Sequence, residues 1–217
     1  MCMHRSGCNA SHRSGQRGFT LIELMVAITL FGLLVALGFP TFSTWISNAR
    51  VRSVAEALQN GIRTGQAEAL RRNRQVVLFF TNGNPAQGVT PSTTSTATAV
   101  ANGKNWGLQT ATGPWGSAEY ITGGSLAEVS SLVSIAGAPS AICFSSNGRL
   151  VANASTTGVT GAACALPTGT PPVATFNVSQ STGSDRPLRV TVALGGQVRM
   201  CDPNRPALSA SSPDGCP

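Results

Sequence analysis

The sequence predicts an α+β protein: one long N-terminal helix, apolar in its first half and amphipathic in its second, packed on an antiparallel β-sheet head. Three observations carry this. From Phe19 to Pro40 run 22 residues with a single ionisable side chain, Glu23. Beyond Pro40, apolar residues recur at roughly helical spacing with arginines between them. From Gln75 onward, short β-rich runs alternate with stretches rich in Gly, Ser and Thr. The chain divides accordingly into residues 1–18, 19–40 and 41–217, the last comprising a helical continuation over 41–74 and a β-rich region over 75–217.

The first 18 residues carry Arg5, Arg13 and Arg17, together with Cys2, His4, Cys8 and His12. The four potential ligands have none of the paired spacings usual for zinc, so no metal site is expected there. The apolar run that follows is long enough, at about 1.5 Å per residue, to cross a bilayer core as a helix. Glu23 is its anomaly. A carboxylate inside a lipid-embedded helix costs a few kcal/mol at least and calls for a cation or a polar cavity. A secretory signal is cut after an apolar run of about 7–15 residues, which is shorter than this one. A plain membrane anchor explains the length but not Glu23.

Basic residues, Gly18, then Phe19-Thr20-Leu21-Ile22-Glu23-Leu24 and a long apolar run ending in Pro40 resemble the class III leader of type IV pilins and type II secretion pseudopilins. The resemblance implies that a prepilin peptidase cuts after Gly18 and methylates the new amine on Phe19. It implies also that Glu23 pairs with the N-terminal amine of a neighbouring subunit during filament assembly. Two charges that are each unfavourable in lipid become acceptable together, so pairing favours the filament over free diffusion. Residues 1–18 are then a cleaved leader, 19–40 a transmembrane and assembly helix, and 41–217 a periplasmic head. Other pilins or pseudopilins, the peptidase and the inner membrane are the implied partners.

Removing the leader leaves 12 Lys and Arg against 8 Asp and Glu, a net charge of +4, which is no nucleic-acid signature by itself. It also leaves no histidine, so no Ser-His-Asp or Cys-His constellation is available. The carboxylates beyond Glu23 are scattered and no phosphate-binding loop is present, so neither enzyme activity, nor a cofactor, nor a metal, nor a small-molecule substrate is expected. Four cysteines remain, Cys143, Cys164, Cys201 and Cys216, an even number suited to two disulfides in an oxidising compartment. Three pairings are possible. Cys143 with Cys164 and Cys201 with Cys216 is favoured because each closes a local loop, while free thiols or a zinc site stay open alternatives.

In the second half of the helix, Trp45, Ala49, Val54, Leu58, Ile62 and Leu70 are expected to face a core, and Pro40 to kink the helix by removing a backbone donor. Arg71, Arg72 and Arg74 fall at its C-terminal end, where the helix dipole favours cations. Strands are expected at 75–81, 119–122, 132–136, 141–145, 174–179, 188–194 and 197–201. Residues 86–104 and 152–172 read as exposed loops. Asn153 and Asn177 begin glycosylation sequons, a pattern too short to imply a glycan.

The helix ending in Gln66-Ala67-Glu68-Ala69-Leu70-Arg71-Arg72-Asn73, the stretch Phe144-Ser145-Ser146-Asn147-Gly148-Arg149-Leu150 and the terminal Gly196-Gln197-Val198-Arg199-Met200-Cys201 resemble the GspH/FimT branch of minor pilins and pseudopilins. In the last of these a two-residue turn would set Val192 opposite Arg199. A three-residue loop, Leu194 to Gly196 with Gly196 left-handed, instead pairs Val192 with Val198 and Val190 with Met200 and keeps one face apolar. That register places Arg189 and Arg199 as diagonal neighbours on the outer face. FimT-type pilins are similar here in carrying a C-terminal G-R-x-R motif thought to contact DNA phosphates. Gly196 and Arg199 match its ends, but Gln197 stands at the first arginine, with Arg186, Arg189 and Arg205 as electrostatic substitutes. The resemblance thus implies a minor pilin that helps to assemble or prime a pilus, with a DNA-binding pilin for transformation and a secretion pseudopilin as alternatives.

Overall fold

The computed structural model describes residues 18–86, 95–114, 116–154, 157–184 and 186–217, without the side chains of 37–41. The leader's arginines, cysteines and histidines therefore lie outside the described residues. The chain divides into two compact units, Met1–Thr41 and Phe42–Pro217, and one helix, α1 (Leu21–Arg72), contributes to both. Helical backbone runs through position 40, so the proline does not end the helix. The Pro40 side chain, where a kink is expected, lies outside the described residues.

In the first unit the described part of the apolar run ends at Ala36, short of the roughly 20 residues that a membrane span needs. Among the described residues no helix is long and apolar enough to cross a membrane; in the sequence the run continues through Leu37 and Gly38. Thr20 caps the helix: its Oγ1 accepts the Glu23 backbone N–H at 3.2 Å. Thr20 and Glu23 have the Thr-x-x-Glu spacing of a capping box.

In the head, α1 buries Val51, Val54, Ala55, Leu58, Ile62 and Ala69. Trp45, Ala49 and Leu70, expected on this face, are exposed instead. The reason is angular. Trp45 and Val54 are nine residues apart, two and a half turns at 3.6 residues per turn, and so lie on opposite sides of one helix. On the buried side Gly61 and Gly65 let the helix approach the sheet closely. A Cβ at Gly61 would come within 2.9 Å of the Trp106 ring, and one at Gly65 within 2.9 Å of Leu108 Cδ2.

The head contains two antiparallel sheets rather than the single one expected. The first has strand order β3-β2-β1-β5-β6, built from β1 (Val76–Thr81), β2 (Asn105–Thr110), β3 (Tyr120–Ser125), β5 (Ala141–Phe144) and β6 (Leu150–Val151). The second has order β4-β7-β8-β9, from β4 (Val133–Ala136), β7 (Val173–Gln180), β8 (Leu188–Ala193) and β9 (Val198–Cys201). A short helix, α2 (Leu126–Val129), leads from the first sheet toward β4 and is capped by Ser125, whose Oγ accepts the Glu128 N–H. Strands β2 and β6 and helix α2 are additions to the elements expected from sequence.

Central strand β1 is buried on both faces, which explains its unbroken apolar run. Val76, Leu78 and Phe80 join the core under α1 and the second sheet. Val77 and Phe79 belong to a second core with Ala99, Cys143, Val159, Ala162 and Cys164. Four of these residues, Ala99, Val159, Ala162 and Cys164, come from the stretches read as exposed loops, so that reading is corrected: their small apolar side chains close the back of the first sheet. Gln109, fully buried on β2, organises them. Its Oε1 accepts the Ser95 N–H at 2.8 Å and its Nε2 donates to the Gly158 carbonyl at 2.8 Å, so one side chain satisfies a polar group from each long loop.

Candidate functional site

The N-terminal candidate consists of Gly18, Phe19 and Glu23. All three are exposed, and Glu23 stands in the first turn of α1, where the helix dipole favours negative charge. Around it Leu21, Ile22, Leu24, Met25 and Val26 are also exposed. A single carboxylate in an otherwise apolar helical surface is suited to binding one cation inside an apolar assembly and to little other chemistry.

The C-terminal candidate lies on the second sheet. The β8–β9 register pairs Val192 with Val198 and Val190 with Met200, and Gly196 has φ +87°, as the three-residue loop requires. The Gly196 N–H closes the turn on the Ala193 carbonyl at 2.8 Å. On the outer face Arg189 stands opposite Cys201 and Arg199 opposite Thr191, a diagonal pair. The two guanidinium groups are engaged differently. Arg189 Nε donates to Asn177 Oδ1 at 2.7 Å, and Asn177 Nδ2 donates to the Ala136 carbonyl at 3.3 Å, so Arg189 is tied across three strands. Arg199 is exposed and makes one long bond, 3.4 Å, to the Pro213 carbonyl. Arg186 and Arg205 do not join this face as a basic patch. Arg186 lines a groove beside Trp45, and Arg205 pairs with Asp214 at 3.5 Å.

Gly196 has a structural reason of its own. A Cβ there would fall well inside contact distance of the Gly148 carbonyl oxygen and the Gln66 amide nitrogen. Gln66 Nε2 in turn donates to the Gly148 carbonyl at 2.9 Å, and the Leu150 N–H donates to the Leu194 carbonyl at 3.0 Å. The three stretches read as branch motifs thus meet at one seam joining α1 to both sheets. The glycine at the start of the motif serves packing, so its presence says nothing about DNA.

The remaining polar candidates are structural. Cys143 is bonded to Cys164 and Cys201 to Cys216, each closing the local loop named above. Arg71 and Arg72 both pair with Glu68, at 2.7 and 2.8 Å, and Arg72 also reaches Glu119 at 3.2 Å. The Arg71 hydrogen bond is the main cause holding the Glu68 carboxyl below its ordinary range; partial burial opposes it and Arg72 adds to it. Arg74 leaves the helix end altogether and donates to the carbonyls of Ala111, Gly116 and Ser117, fastening the β2–β3 loop. Among the described residues no group of His, Cys, Asp or Glu is placed to hold a metal ion.

Residues 13–39 match the prokaryotic N-terminal methylation motif. The matched segment contains Gly18, Phe19 and Glu23. Among curated relatives it is similar to a fimbrial protein of Moraxella nonliquefaciens, 39% identical over 70 residues that cover 32% of this chain and 42% of the relative. It is similar also to the type IV major alpha-pilin of Moraxella bovis, 35% identical over 85 residues, covering 38% of this chain and 53% of that one. The chain spans about half the length of the curated relatives it matches. Among solved structures it is similar to the type IV minor pilin FimU of Pseudomonas aeruginosa, with 15% identity, a TM-score of 0.44, and coverage of 77% of this chain and 95% of that one.

Proposed function

We propose that the protein is a minor pilin, anchored in the inner membrane by residues 19–40 with its disulfide-bonded head in the periplasm, and incorporated into a type IV pilus to assemble or prime it. The observation that carries this reading is the methylation motif at the head of a helix that runs 52 residues to Arg72 and supplies one side of the head's core. Prepilin peptidase would cut after Gly18 and methylate Phe19, and Glu23 would then pair with a neighbouring amine. Co-expression with an active prepilin peptidase tests the first step. The membrane-bound chain is expected to lose residues 1–18 and to gain one methyl group, as read by intact mass, and an unshortened chain would count against the proposal.

The DNA-binding alternative depends on two arginines acting together, and only Arg199 is presented; Arg189 is bonded to Asn177. Purified full-length protein in detergent, titrated with duplex DNA across a salt series, is expected to show no binding that depends on either arginine. An Arg199→Ala variant whose salt slope falls by about one relative to the parent would show a phosphate contact and restore the uptake reading.

A further inference from the structure

The first turns of the head's helix carry a feature that filament assembly through Glu23 leaves unused. Phe42 and Trp45, three residues apart and therefore on one helix face, stack with ring centroids 6.0 Å apart. They are 60% and 66% exposed, whereas Phe79, Phe80, Phe144 and Phe176 are fully buried. Trp45 also forms part of an open groove of about 510 Å³, lined by apolar Leu188 and Met200 and by Arg52, Arg186, Asp202 and Asp214. An exposed apolar surface fringed with both signs of charge suits a boundary between apolar and zwitterionic or anionic material better than it suits bulk water.

Position in the chain identifies that boundary. Phe42 and Trp45 follow the end of the apolar run at Pro40 by two and five residues. Side chains this close in sequence behind a membrane segment fall in the headgroup layer flanking a hydrocarbon core of about 30 Å. Aromatic side chains concentrate at that depth because the ring is apolar while the indole N–H still reaches water. Exposed Arg50 and Arg52 follow within two further turns; Arg52 is paired with Glu56 at 2.8 Å, which leaves Arg50 the better suited to lipid phosphates.

We infer that Phe42 and Trp45 form an interfacial anchor that seats the unassembled subunit's head on a phospholipid surface. The rings enter the headgroup layer, and the groove beside Trp45 faces lipid phosphates and ammonium groups with its arginines and aspartates. The inference rests on the reading of residues 19–40 as a membrane segment and adds a second contact to it. It also gives assembly a competing state: leaving the membrane requires withdrawing the two rings as well as the apolar helix.

The test uses the full-length chain in vesicles of phosphatidylethanolamine and phosphatidylglycerol, with acyl chains brominated at either a shallow or a deep position, read by tryptophan fluorescence. The Trp45 component is the part of the signal lost in Trp45→Phe, a variant at an exposed position whose thermal unfolding should match the parent's. Shallow bromines are expected to quench that component at least about twofold more than deep ones. A chain that resists an alkaline carbonate wash but shows no quenching of Trp45 overturns the anchor and leaves the membrane segment standing. Shielding of Trp45 only after filaments form overturns it as well, because the occupant is then a neighbouring subunit. A chain washed off the vesicles overturns both the anchor and the spanning reading beneath it.

Discussion

Gly196→Ala is expected to destabilise the head by at least about 3 kcal/mol, enough to leave the β8–β9 hairpin undocked under mild denaturant. Two effects act together. Gly196 has φ +87°, a conformation that costs a non-glycine residue about 1–2 kcal/mol. The added methyl would also collide with the Gly148 carbonyl oxygen and the Gln66 amide, and the first of these is backbone that cannot turn aside. Relief requires parting the β8–β9 turn from the 145–150 turn, which gives up the 3.0 Å bond from the Leu150 N–H to the Leu194 carbonyl. Urea unfolding followed by circular dichroism measures the change as a lower midpoint. Gly195→Ala is the control, since nothing lies within 4 Å of a Cβ placed there. Equal midpoints for the two variants would show that the seam does not hold the hairpin.

Glu23→Ala is expected to abolish incorporation into filaments, by about a hundredfold or more, while leaving cleavage after Gly18 and folding of the head unchanged. The residue lies in the first turn of α1, in the unit Met1–Thr41 and outside the head that carries both cores. Under the proposed pairing, its removal would leave a neighbour's N-terminal amine uncompensated among apolar helices, a loss of about 3–5 kcal/mol for a buried pair broken on one side. Quantifying the chain in sheared surface filaments against the chain in membranes reads the effect. Wild-type incorporation of the alanine variant would remove Glu23 from the assembly chemistry.

How much of this was legible in the sequence depended on how local the cause was. The N-terminal methylation motif could be read because Gly18, Phe19 and a lone carboxylate, Glu23, stand at the start of a 22-residue stretch that is otherwise uncharged. The β8–β9 register could be read because Val190, Val192, Val198 and Met200 have to share one face, and only one turn length allows it. The helix face was misassigned where residues were chosen by apolarity rather than by angle, which put exposed Trp45 in the core and left Val51 and Ala55 out. Strand β2 was obscured by its own composition. Gly107 interrupts its pattern, yet a Cβ there would strike the Phe79 ring, and Gln109 looks like a surface residue but is a fully buried anchor.

The division into two sheets was not written in any one segment. It depends on which strand each edge meets, and on loops of Ala, Ser, Thr and Gly that look solvated but pack over β1. The arginine face was legible in position but not in state. Alternation along the strands set Arg189 and Arg199 on one surface, while the bond that occupies Arg189 comes from Asn177 on β7, a non-local partner.

The intact mass of this chain recovered from sheared surface filaments of a cell with an active prepilin peptidase tests the proposed filament role most directly. The predicted result is a chain that begins at Phe19, carries one methyl group on its N-terminal amine and retains both disulfides. Recovery only from the membrane fraction, still bearing residues 1–18, would contradict it.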